Sequence, residues 1–77
     1  MVFFFALYES DVLVEADEAH DANDIEHALA IAVEASRDIM SSDIKSGRLP
    51  LSAYIVVQDD QHVEVGRVQF RDTFEVF

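Results

Sequence analysis

Residues Asn23 to Gly47 read NDIEHALAIAVEASRDIMSSDIKSG, and this stretch decides the fold. At 100° per residue, Ile25, Ala28, Leu29, Ala32, Ser36, Ile39 and Met40 fall on one side, with Val33 and Ile44 bordering them. Glu34, Arg37, Ser41 and Lys45 fall on the opposite side. Asn23 is the expected N-cap, with Glu26 three residues later as in a capping box. Asp24 and Glu26 suit the positive end of the helix dipole. Gly47 suits the position just past a helix, and Pro50 follows where a helix cannot continue. The segment predicts one helix over residues 23–46. Ala28, Ala32 and Ser36 are small, so this helix can lie close on a sheet.

Strand patterns flank the helix on both sides. Val2 to Tyr8 is apolar throughout: Phe3, Phe5 and Leu7 share one face, while Val2, Phe4, Ala6 and Tyr8 share the other. Glu9-Ser10-Asp11 is a turn, and Val12-Leu13-Val14 a short second strand. Asp17 to Ala22 has no apolar period and reads as a loop entering the helix. Ala53 to Gln58 is rich in β formers, Asp59 to His62 makes a turn, and Val63 to Phe70 is the hairpin partner. Gly66 inside that run signals a bulge or a close backbone approach. Phe74-Glu75-Val76-Phe77 alternates like a last short strand. The expected fold class is α+β in the order ββαββ. It has one mostly antiparallel four-stranded sheet with the helix on one face.

Size bounds what such a fold can do. With 77 residues there is room for one domain, 1–77, and a domain this small buries only about 60% of its unfolded surface. Half of the residues are hydrophobic (51%), so either the core is well filled or some apolar surface meets a partner. A helix covers one face of a single sheet. The outer face of the first strand, Phe4 and Tyr8, together with Ile31 on the outer flank of the helix, is therefore the candidate self-association surface. No cysteine is present, which excludes disulfides and thiolate zinc sites and fits a cytoplasmic setting. The opening apolar run meets Glu9 and Asp11 too soon for a membrane or secretory segment.

Charge is unevenly divided. The net charge is −11; residues 1–36 hold nine acids and no Lys or Arg, while residues 37–77 hold seven acids and five bases. Such a field repels phosphate backbones, so no nucleic-acid partner is expected. It suits either a solvated face or a surface for a basic partner protein.

Few residues suggest chemistry. Asp21, Asp24 and His27, near His20, Glu15, Asp17 and Glu18, are weak metal candidates, with no spacing that matches a known site. Arg37-Asp38 and Arg71-Asp72 form a matching pair of dipeptides. Arg71 paired with Asp38, and Asp72 with Arg37, would pin the tail to the helix or form a polar recognition patch. Asp43 lies near the apolar stripe and needs a donor, either a backbone N–H between Gly47 and Leu51 or the Arg48 side chain. There is no phosphate loop and no nucleophile with a plausible base, and a chain this small has little volume for an enclosed pocket. No cofactor is indicated.

From Ala28 to Pro50 the chain resembles a family of small bacterial proteins catalogued only as a domain of unknown function (number 6894 in that series). The likeness is carried by Phe3-Phe4-Phe5, Asp24 to Ala28, Ala35 to Met40 with Asp43-Ile44, and Gly47 to Leu51. It continues through Ile55-Val56-Val57 with Asp59-Asp60, and Val68 to Asp72 with Phe74. Ala19 and Ala22-Asn23 replace a usual glycine and a Leu-Pro pair, and His62 replaces a usual turn glycine. The resemblance implies the ββαββ fold and no reaction. Two functions stand side by side. One is a non-catalytic protein-interaction or regulatory module, homodimeric and able to take a basic partner. The other is a small ligand-binding, metal-binding or enzymatic domain, with a shallow site between the helix end and the sheet.

Overall fold

The computed structural model describes all residues, Met1–Phe77. The strands are β1 (Val2–Glu9), β2 (Val12–Asp21), β3 (Ala53–Gln58) and β4 (Glu64–Gln69), with the helix α1 (Ile25–Lys45) between β2 and β3. They form one antiparallel sheet in the order β2-β1-β3-β4. The ββαββ, α+β architecture read from the sequence is the observed one. No helix is long and apolar enough to cross a membrane.

The helix begins one residue later than expected. Asp24, extended at φ −161°, is the N-cap, and its Oδ1 accepts the His27 N–H at 2.7 Å. His27 Nδ1 in turn accepts the Asn23 N–H at 3.0 Å. This reciprocal pair uses His27 where the sequence pointed to Glu26, because Asp24 is the residue that leaves the helical backbone. Asp24→Ala is expected to cost about 1 kcal/mol in a urea titration, the usual worth of such a cap. At the other end the Gly47 N–H bonds to the Ile44 carbonyl (3.0 Å) and the Arg48 N–H to the Asp43 carbonyl (3.1 Å). Together they close a Schellman motif that needs the left-handed backbone of Gly47, φ +85°.

Ala28, Ala32, Ser36 and Met40 are the buried helix residues. They meet Phe3, Phe5, Ile55, Val57, Val68 and Phe70 in one core. Ser36 is fully buried without penalty, since its Oγ donates to the Ala32 carbonyl at 2.8 Å. Gly66 shows both expected features. The β3–β4 register shifts beside it, and a Cβ there would lie 2.9 Å from Leu29 Cδ2. Small residues on both layers thus bring α1 close to β3 and β4.

Two expectations fail. The second strand is not three residues long but ten, and it absorbs most of the segment read as a loop. Its backbone pairs with β1 from Val2↔Asp21 to Glu9↔Val12, with two register shifts that fit ten residues against eight. Every β2 residue except His20 is exposed, so no buried face imposes an apolar period. The tail is not a strand either. Phe70 turns into the core, and the chain makes a 3-10 turn over Phe70–Asp72. Buried Thr73 closes this turn with its hydroxyl on the Phe70 carbonyl (2.8 Å).

Candidate functional site

Helix width sets the site. Four strands about 4.8 Å apart span roughly 14 Å between the outer strand axes, whereas a helix with its side chains is about 10 Å across. α1 packs mainly on β3, β4 and the following 3-10 turn, and the Phe3 and Phe5 side chains of β1 reach into the same core. Beyond them, the inner face of β2 and the Leu7 end of β1 are left open beside it. The result is a cleft of about 600 Å³ between the helix flank and the edge strand. A smaller recess of about 130 Å³ shares Leu7, Glu15, Glu18, Ala35 and Ile39 with it and reaches Phe5 and His20.

The cleft is apolar inside and acidic at its rim. Leu7 forms the floor, Ala35 and Ile39 the helix wall, and Val14 lines the strand side. Glu9, Glu15, Glu18, Asp38 and Asp43 stand around it, with Arg48 as the one Lys or Arg among the lining residues. Arg48 is already engaged: it hydrogen-bonds Glu9, and its Nε lies 3.5 Å from Asp43 Oδ2. The Glu9 bond, chiefly, raises the Arg48 pKa further. His20 stacks on Phe5 (4.3 Å between ring centroids) and approaches Glu18 at 3.5 Å. Glu15, Glu18 and Asp38 have no Lys or Arg partner.

The residues singled out from the sequence go to several places. Asp43 and Arg48 meet at one end of the cleft, and Asp38 stands on its rim. Arg37 does hold the tail, but through its Nε on the Thr73 carbonyl (2.7 Å). The expected ion pairs of Arg71 with Asp38 and of Asp72 with Arg37 do not form, because the 3-10 turn replaces the strand that would have aligned them. Ile31 is half-buried against the core rather than outward-facing: it lies one turn before Ala35, which lines the cleft.

Phe4 and Tyr8 lie on the outer sheet face, both half-buried. Phe4 stacks with His62 at 4.4 Å, and Tyr8 with Tyr54 at 5.2 Å. His62 adopts φ +60°, which accounts for the glycine usual at that turn in the resembling family. Its Nδ1 lies 3.2 Å from Asp17 Oδ2. Arg67 lies over the Tyr54 ring and forks onto Glu64 (2.9 and 3.1 Å). That fork lowers the Glu64 pKa, while the hydrogen bond to Asp11 raises that of Tyr54.

The metal candidates are engaged separately. Asp21 pairs with the Met1 amino group (3.0 Å), while Asp24 and His27 form the helix cap. No three His, Asp or Glu side chains converge as metal ligands would.

Sequence reasoning missed Leu7, Ala35 and Ile39 as site residues and offered Glu15 and Glu18 only as oxygens for a metal. The signal was present but indirect: a single helix cannot span four strands, so an edge strand must be left open. No curated protein and no solved structure matches the chain. The family model described as Domain of unknown function (DUF6894) matches residues 2–71, nearly the whole chain, and the chain belongs to that family.

Proposed function

We propose that this chain is a non-catalytic protein-interaction module that receives a basic segment of a partner protein in the cleft between α1 and β2. The observation that carries the reading is the cleft itself. Its interior is apolar, and Glu15, Glu18 and Asp38 stand at its rim with no Lys or Arg of the chain to balance them. Carboxylates in that position attract Lys and Arg over a distance and fix their register on arrival. Self-association through Phe4 and Tyr8 has less support. Ala6 and Val56 on that face are already only 2% and 6% exposed beneath the chain's own side chains. A small-ligand site at the helix end would rest on Asp43 and Arg48, which already pair with one another.

The test is affinity capture from cell lysate with two baits, the native chain and a triple charge reversal, Glu15→Lys, Glu18→Lys and Asp38→Lys. A stoichiometric basic protein recovered by the native bait alone, and released by moderate salt, is the expected result. Equal recovery by both baits, or recovery of none at low salt, overturns the reading.

A further inference from the structure

Resting on that reading, we infer that the segment received by the cleft is an amphipathic α-helix with an apolar stripe flanked on both sides by Lys or Arg. The open strip of the inner face is β2 together with the Leu7 end of β1, since Phe3 and Phe5 are buried in the core. Its walls differ in kind but agree in chemistry. Ala35 and Ile39 come from the helix and Leu7 from β1, giving an apolar channel that runs beside α1. Asp38 stands on the helix side, with Glu15 and Glu18 on the strand side. An apolar stripe at i, i+3, i+4 and i+7 fills the channel, and basic residues on its two borders reach both rows of acids.

Two other occupants fit less well. A strand added to the free edge of β2 would need a regular ladder. That edge carries two register shifts and the acids Glu15, Asp17, Glu18 and Asp21, the usual protections against strand addition. A second copy offers the wrong charge. The exposed borders of its own helix include Glu26, Glu34 and Asp38, and its net charge is −11. A basic helix from another protein meets neither obstacle. It would cover the strip of β2 that α1 leaves open.

Two synthetic peptides of identical composition, about 14 residues of Leu and Lys, test the inference. One carries Leu at helical spacing and the other alternates Leu and Lys as a strand would. Binding to the full chain is read by calorimetry, peptide helicity by circular dichroism, and the site by amide shifts. The helical-period peptide is expected to bind about tenfold or more tighter than its isomer. It should become helical on binding and shift the amides around Leu7, Ala35 and Ile39. Ala35→Phe, which fills the channel, and Glu18→Lys, which leaves it open but reverses the rim, should each weaken it. Equal binding of the isomer, binding without helix formation, or shifts confined to the outer sheet face would overturn the helix inference while leaving a basic partner in place. If neither peptide binds, the helix inference falls. The partner reading is decided separately, by the capture experiment.

Discussion

Phe70→Ala is expected to lower the unfolding free energy by about 3–5 kcal/mol, the usual cost of deleting a buried phenyl ring. A chain of this length has only about 4–12 kcal/mol in total, so the variant loses roughly a quarter or more of it and unfolds if the total lies at the low end. Phe70 is fully buried, and it occupies a structural junction as well as a volume. It follows β4 directly, and its carbonyl accepts both the N–H and the hydroxyl of Thr73. Thr73 in turn presents the carbonyl that Arg37 grips. Emptying the Phe70 site therefore loosens the sheet, the 3-10 turn and the tail's hold on the helix together. Urea titration followed by circular dichroism measures it, with Phe74→Ala as the control. Phe74 is 36% exposed at the edge of the same turn and should cost under about 1 kcal/mol. A Phe70→Ala cost below about 1.5 kcal/mol would mean that the core closes without this ring.

Where the chain buries one face, its sequence was readable. The helix stripe, the Gly47 stop and β3 all follow from apolar period and backbone chemistry, and the structure places them within a residue or so of expectation. The failure at β2 has a plain cause. β2 is paired by its backbone to β1 yet covered on neither face, so its ten residues carry no period that separates a strand from an acidic loop. Once β2 was read as three residues, Glu18 became a loop acid and Glu15 lay outside any strand, and the cleft they line had no second wall. Ile31 was misplaced for a related reason. Helical angles give position around the axis, not which flank of the helix lies beside uncovered strands. Asp43 and Arg48 were legible because a carboxylate near an apolar stripe needs a donor, and Arg48 is the nearest cation past the helix stop.

The same asymmetry makes opposite demands on two alanines three residues apart. Ala32 is fully buried between α1 and the sheet, whereas Ala35 is half-buried and lines the cleft. Ala32→Leu adds three carbons where small residues set the spacing between layers. Relief requires the helix to lift from β3 and β4, and the expected cost is about 1–3 kcal/mol or more. Ala35→Leu adds the same atoms to open, largely apolar space. Its side chain can lie along Leu7 and Ile39, so stability should change by no more than about 0.5 kcal/mol, in either direction. The two variants have identical composition, hydrophobicity and helix propensity, so any difference in their urea midpoints reports position alone. Equal costs would mean that the helix sits centrally over the sheet and that no cleft is available. Unequal costs in the expected order carry a functional consequence too. Ala35→Leu gives a chain that folds normally with its channel narrowed, so its failure to hold a basic helix could not be blamed on misfolding.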